Sequence, residues 1–487
     1  MGNTKTNIKK RLVLDETKRE FELLKKIGEG GQGIVCQTQI SNILVKINTQ
    51  KSFEKKKKWL EHIRWLMRQP LEGLKISRPF SRIASNNNAG YAMELMDGLM
   101  PLERLINDTE IAMSESDGNP EKYLQTGGIK RRLRLLAKLA RILSDLHGRG
   151  MAYGDLSLAN IFISKDIEHD EVWLIDCDNI CINQRNSFDS EIIEGKAGRV
   201  WSPGFGAPEV VNGEFFVSSL TDSWSFAVIA FKLLTTNHPF IGDAVDNGTP
   251  DDVDKAFSGE LPWIYHPQDL SNKMLKGLSI EIVALEPLRK LFEQCFNIGK
   301  GEPLERPSLS EWAEKLEQMS CLLIDCQNSS CNATYNFPID RVKGNSFSCP
   351  FCDTPVEIQN LTVIRYFLQD PSLLNIPNTK KNDSYINTDI KQTLNLGHSL
   401  SIKNSPPGSF LWEESKELFV IKLSPNGIQI TPAENISISV EVHTAKPEVI
   451  NKMFELSNQS RKSQLVKVTP IDQANEDKIK SVYVFRW

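Results

Sequence analysis

From Phe21 to Ile47 short apolar runs are broken by glycines, the pattern of successive strands. Residues 51–69 carry Trp59, Leu60, Ile63, Leu66 and Met67 at helical spacing, and Pro70 closes that helix. Tyr91–Met96 reads as a short strand. Beyond Asp97 the period turns helical, most clearly over Ile129–His147, where Leu133, Leu136, Leu139, Ala140, Leu143 and Leu146 form one face. Two strand-like runs follow, Ile161–Ile163 and Val172–Ile175, then a long polar loop and further helices to about Met319. The last ninety or so residues alternate with a period of two: Phe419, Ile421 and Leu423, the turn Pro425-Asn426-Gly427, then Ile428 and Ile430. Ile436, Ile438, Val440 and Val442 repeat that period, and Val482 and Val484 supply another strand.

This pattern divides the chain into a polar lead-in (1–20), a strand-rich lobe (21–97) and a helix-rich lobe (98–320). A short cysteine-rich module (321–360), a linker rich in Asn, Asp, Lys, Ser and Thr (361–395) and a β-rich, sandwich-like domain (396–487) complete it. The fold class expected is α+β. The 487 residues suffice for such an array, with 40 % hydrophobic and 25 % charged residues typical of globular chains. A net charge of -4 gives no reason to expect a nucleic-acid partner. The best apolar stretch, Trp224–Leu234, is too short to span a bilayer and carries Lys232, so no membrane association is expected. The start Met-Gly-Asn-Thr-Lys-Thr matches the acylation pattern at Gly2 with Thr6, a short pattern that chance also produces. Without a secretory signal the nine cysteines read as reduced thiols, which places the protein in the cytoplasm.

Three motifs carry chemistry. In Gly28-Glu29-Gly30-Gly31-Gln32-Gly33-Ile34-Val35 the glycines Gly28, Gly30 and Gly33 let a hairpin fold over a triphosphate, although a glycine-rich turn would read the same. Ile43-Leu44-Val45-Lys46 ends a strand in a cation able to pair with phosphate oxygens. Such a lysine needs a carboxylate from the next helix; Glu61 is expected in that role, ahead of Glu54, which sits too near the helix start. The third motif, Tyr153-Gly154-Asp155-Leu156-Ser157-Leu158-Ala159-Asn160, is the most specific. Asp155 can accept a proton from an attacking hydroxyl, and Asn160 can ligate a metal from the same loop. Asp176, after the strand ending at Ile175, is placed to bind Mg²⁺.

In this order and spacing residues 20–320 resemble the eukaryotic-like protein kinase family, which implies a bilobal kinase fold that uses ATP and Mg²⁺ on a protein substrate. Ala207-Pro208-Glu209 resembles the segment that closes the activation loop. Asp222 resembles the aspartate that holds the catalytic loop, and Arg306 the arginine that pairs with Glu209. Met93-Glu94-Leu95-Met96 resembles the gatekeeper and hinge, which together with Val35 would line the adenine site. The departures are local. Tyr153-Gly154-Asp155 replaces His-Arg-Asp, so activation through an arginine and a phosphorylated loop is not expected. Ser157 stands where a lysine is usual, Asp176-Cys177-Asp178 replaces Asp-Phe-Gly, and Ala227 replaces a glycine. Ser187, Ser190 and Ser202 are candidate autophosphorylation sites.

Cys326 and Cys331 form one close pair and Cys349 and Cys352 another, a spacing suited to structural Zn²⁺, with Cys321 as a spare. The module resembles a zinc ribbon. Few basic or aromatic residues cluster there, so a protein contact or a purely structural role is favoured over nucleic acid. The whole arrangement resembles bacterial serine/threonine kinases with a zinc ribbon, some encoded beside phosphatases in stress or phage-defence loci; that implies such signalling and a cognate phosphatase as partner. Two other readings stay open: an ATP-binding pseudokinase scaffold, and an interaction protein acting through its C-terminal domains.

Overall fold

The computed structural model describes residues 11–30, 33–85, 88–183, 199–274, 276–339, 347–376, 380–405, 415–443, 445–458, 463–471 and 479–487. They form two compact units, the first comprising residues 1–122, 138–278 and 290–313, the second residues 123–137, 279–289 and 314–487.

The first unit opens with an antiparallel sheet of strands β1 (Arg11–Leu14), β2 (Glu20–Gly30), β3 (Gly33–Thr38), β4 (Ile43–Asn48), β5 (Pro79–Ser85) and β6 (Asn88–Glu94), ordered β1-β2-β3-β4-β6-β5. Every residue of β4 is buried, because both faces of the sheet are covered there. Ile43, Val45 and Ile47 join Val13, Phe21, Ile83 and Ala92 on one face. On the other, Leu44 meets Trp59 and Ile63 of helix α1 (Phe53–Leu66), with Tyr91 and Met93. Lys46 shares the parity of Leu44, so the strand period delivers its side chain to the helix-covered face. Ser52 caps α1 by accepting from the Lys55 amide at 3.3 Å.

One boundary moves. Part of the expected polar lead-in is a strand: β1 pairs with β2, Arg11 opposite Leu23 through Leu14 opposite Glu20. Asp15 fixes the turn by accepting from the amides of Thr17 and Arg19 and from the Ser81 hydroxyl at 2.7 Å. Residues 1–10 lie outside the described residues, and with them Gly2 and Thr6.

After β7 (Leu99–Pro101) come helices α2 (Leu102–Glu115), α3 (Glu121–Gln125) and α4 (Gly128–Gly148), of which residues 123–137 count with the second unit. Short strands β8 (Met151–Ala152), β9 (Ile161–Ser164), β10 (Val172–Leu174) and β11 (Cys181–Ile182) then frame the loops that matter below, β9 lying between β10 and β7. After the short helix α5 (Pro208–Val211) comes α6 (Ser219–Thr235), buried over 14 of its 17 residues, which explains its apolar composition without any membrane. Phe231 packs edge-on against Phe292 at 5.4 Å, and Phe292 against Trp312 at 4.9 Å. Among the described residues no helix is long and apolar enough to cross a membrane.

In the second unit the hairpin β12 (Leu323–Asp325) and β13 (Thr334–Asn336) carries the cysteine module. A six-stranded sheet then runs β15-β14-β23-β22-β19-β20 and a four-stranded one β16-β17-β18-β21. They comprise β14 (Leu361–Gln369), β15 (Tyr385–Asn395), β16 (Ser399–Lys403), β17 (Glu417–Ser424), β18 (Gly427–Pro432), β19 (Ser437–Val442), β20 (Glu448–Ile450), β21 (Phe454–Ser457), β22 (Leu465–Ile471) and β23 (Lys480–Arg486). Residues of both sheets share one core, with Phe419, Ile421, Ile428, Val466, Val468 and Phe485 at its centre. The span expected to be a linker is therefore structural. β14 lies between β15 and β23, with Tyr366 opposite Tyr483. β15 is an edge strand made mostly of polar residues (Asn387, Thr388, Asp389, Lys391, Gln392, Thr393 and Asn395), so its composition imitates a linker. Within this unit Thr393 ties β15 to the cysteine module: its amide donates to Cys321 O at 2.9 Å and its hydroxyl to Leu323 O at 2.6 Å.

Candidate active site

The loop after β8 is held from below. Asp222, at the start of α6, accepts from the Tyr153 amide at 2.6 Å and the Gly154 amide at 3.0 Å, and its Oδ2 lies 2.9 Å from His147 Nε2. Gly154 has φ 92°, and a Cβ there would stand 2.8 Å from Asn179 O. Glycine at the place of the family's arginine is thus a backbone requirement of this loop. The Tyr153 hydroxyl donates to Ile175 O, tying the loop to the segment after β10.

Asp155 and Asn160 are joined within this loop: Asn160 Nδ2 donates to Asp155 O at 2.8 Å. The Ile175 amide donates to Asn160 O at 3.0 Å, which brings Asp176 beside Asn160. Asp176 is in the left-handed region (φ 60°, ψ 51°), a conformation aspartate tolerates better than most residues. It turns the chain into a short helical turn in which Asp178 is buried and the Cys177 thiol donates to Ser77 O at 3.2 Å. Asp155 Oδ1 accepts from the Ser202 hydroxyl at 2.9 Å, the bond this carboxylate would have to make with an attacking hydroxyl. A shallow, narrow cleft lies there, lined by Asp155, Trp201, Ser202, Phe205 and Val217. Ser187 and Ser190 lie outside the described residues.

Lys46 is 4 % exposed, and its ammonium is in contact with Asp176 Oδ1 and 2.9 and 3.0 Å from the two oxygens of Asp178. Burial works against its charge, but Asp178 and then Asp176 outweigh it and hold the lysine above its usual pKa. Of the two carboxylates Asp178 keeps the charge: burial pushes upward, yet Lys46, Asp176 and the Trp59 indole hold it below the usual range. Asp176 is pushed up to about 7 by burial and by the neighbouring Asp178 charge. Burial also raises the Asp155 carboxyl, against the pull of the Ser202 hydroxyl.

Glu61 does not join this group. On α1 Trp59 and Ile63 pack against the sheet, and Glu61 lies two positions from Trp59, about 200° around the helix, where it is exposed. The helix presents an indole instead: Trp59 Nε1 donates to Asp178 Oδ2 at 2.9 Å. The sequence pattern gives Trp59 no role beyond the apolar stripe it leads and marks Asp178 only as a departure from Asp-Phe-Gly.

Of the glycine hairpin, Gly30 pairs with Gly33, and Val35 lies opposite Lys46. A Cβ at Gly33 would come within 2.5 Å of Ile47 O, so close strand approach alone demands glycine there. Gly28 faces Val35 across the pair, and residues 31–32 lie outside the described residues. Met93 is buried opposite Leu44, Glu94 is exposed, and Met96 is half-buried past the end of β6. Arg306 grips Glu209 with two bonds of 2.7 and 2.8 Å and donates to Gly299 O at 2.8 Å.

Hard oxygen donors from Asp176 and Asn160 beside a fixed ammonium suit Mg²⁺ and a phosphate chain. In the second unit the sulfurs of Cys326, Cys331, Cys349 and Cys352 all lie within 4.8 Å of one another, with Cys326–Cys352 at 3.5 Å and Cys331–Cys349 at 3.8 Å. Zn–S bonds of ~2.3 Å at tetrahedral angles place sulfurs ~3.8 Å apart, so the four fit that ion. The Asn328 amide donates to Cys326 Sγ at 3.4 Å, and the Thr354 hydroxyl and backbone hold the Cys352 thiol down to about 6. Cys321 stands apart from the four.

The protein kinase domain family matches residues 21–315, and the chain belongs to that family. G protein-coupled receptor kinase 2 of Drosophila melanogaster is 29 % identical over 231 residues, 46 % of this chain and 29 % of that protein. Serine/threonine-protein kinase PknD of Protochlamydia amoebophila is 25 % identical over 289 residues, 54 % of this chain and 28 % of the relative. Serine/threonine-protein kinase KIN4 of Saccharomyces cerevisiae is 30 % identical over 151 residues, 29 % of this chain and 17 % of that protein. The chain thus spans less than a third of the length of these relatives.

Proposed function

We propose that this chain transfers the γ-phosphoryl group of ATP to a serine or threonine hydroxyl of a protein. The observation that carries the reading is the convergence of Lys46, Asp155, Asn160 and Asp176 on one loop system fixed by Asp222. Lys46 holds the phosphates. Asp176 and Asn160 would hold Mg²⁺, which draws charge from the phosphoryl oxygens when bound. Asp155 orients the hydroxyl and takes its proton. The glycine hairpin with Val35, Met93, Glu94 and Met96 forms the adenine and phosphate cradle. The protein acts in the cytoplasm, in bacterial stress or defence signalling opposed by a phosphatase. Incubation of the full chain with γ-labelled ATP, Mg²⁺ and a basic test protein should place label on serine or threonine. Absence of label, or label confined to tyrosine, refutes the reading.

The four cysteines hold a structural Zn²⁺. Cys349→Ser should lower the bound zinc from about one equivalent per chain to under half, as read by elemental analysis. The second unit should become protease-sensitive, because metal binding at such a site is folding energy. Undiminished zinc would refute this ligand set.

A further inference from the structure

We infer that Asp178, held by Trp59, is the residue that positions Lys46, in place of any carboxylate on the neighbouring helix. The inference rests on the kinase reading above and names a link that the family resemblance does not contain.

A buried ammonium must be matched by a buried, hydrogen-bonded anion. Asp178 meets that need. Its side chain is fully buried, both its oxygens face Lys46 Nζ, and Oδ2 also accepts from the Trp59 indole. The indole is itself fixed by stacking on Tyr91 at 5.7 Å, so Lys46, Asp178, Trp59 and Tyr91 form one packed chain of contacts from the sheet to the helix and back. No carboxylate lies among the buried residues of α1, namely Trp59, Ile63, Trp65 and Leu66. Asp178 stands at the third position of the segment where the resemblance implies glycine. The charge gained there and the exposure of Glu61 are two sides of one exchange: the anion has moved from the helix to the loop, and the helix supplies a neutral donor to hold it. Asp176 touches Lys46 as well but is 32 % exposed in its side chain, which leaves it accessible to a metal. Docking of α1 is therefore transmitted to the phosphate-binding lysine through an indole–carboxylate contact, which salt screens far less than a surface ion pair.

The test compares D178N, D178E, W59F and E61Q in the full chain by two readouts. The first is kcat and KM for ATP from labelled transfer. The second is the rate at which Lys46 of the nucleotide-free chain is acylated by a succinimidyl ester, followed by mass spectrometry. D178N should lower kcat/KM for ATP at least ten-fold and raise Lys46 acylation several-fold. W59F, which keeps every carboxylate and serves if D178N fails to fold, should shift both in the same direction by less. D178E should restore part of the loss. A loss in E61Q equal to that in D178N overturns the inference. So does a raised Mg²⁺ requirement in D178N with Lys46 acylation unchanged, which would assign Asp178 to the metal. If the wild type transfers no phosphate, the kinase reading fails, while the acylation arm still decides whether Asp178 holds Lys46.

Discussion

Asp155→Ala should abolish phosphoryl transfer while leaving ATP binding intact. In the proposed reaction this carboxylate takes the hydroxyl proton, and it already accepts a bond of that kind from Ser202 at 2.9 Å. Loss of a positioned general base lowers a rate by about a hundred- to ten-thousand-fold. The backbone contribution of this residue, Asp155 O accepting from Asn160 Nδ2, survives the substitution. The loop should therefore keep its shape, and the effect should fall on kcat rather than on KM for ATP. Labelled transfer under saturating ATP, together with titration of a fluorescent nucleotide, separates the two. Equal labelling by wild type and variant would show that the transfer measured does not use this site.

Arg306→Ala should strike the fold rather than the chemistry. The Arg306 side chain is fully buried; besides its two bonds to Glu209 it donates to the carbonyls of Gly299 and Leu220 and lies 5.0 Å from the centre of the Trp224 ring. Removing it leaves the Glu209 carboxylate buried without its cation, which costs about 3–5 kcal/mol. Urea unfolding should show a clearly lower midpoint for the first unit. The paired change Arg306→Met with Glu209→Met should be less damaging than the single loss, because no lone charge remains buried. A double variant as unstable as the sum of the two singles would show that the pair acts through packing alone.

Much of the site was legible in the chain because its groups lie in short local patterns. Asp155 and Asn160 share one loop, Asp176 follows a strand, and the four cysteines form two close pairs; the structure brings each set together. The Glu209–Arg306 pair, 97 residues apart, was reachable only through the family resemblance, and the geometry has the two in contact. What the chain did not disclose was the partner of Lys46. Glu61 had the right charge and distance along the sequence but the wrong face of the helix. Likewise β15 has the composition of a linker, and only its pairing with β14 makes it a strand.

The sequence by itself determined the two-lobed order of elements, the strand parity that buries Lys46 and the spacing of the cysteines. These follow from periods of 2 and 3.6 and from turns a few residues long. Tertiary structure decided which carboxylate neutralises Lys46, how β14 is held between β15 and β23, and that β1 belongs to the first sheet. Those choices depend on which face of a helix meets the sheet and on register between distant strands, and neither is encoded in any local run of residues.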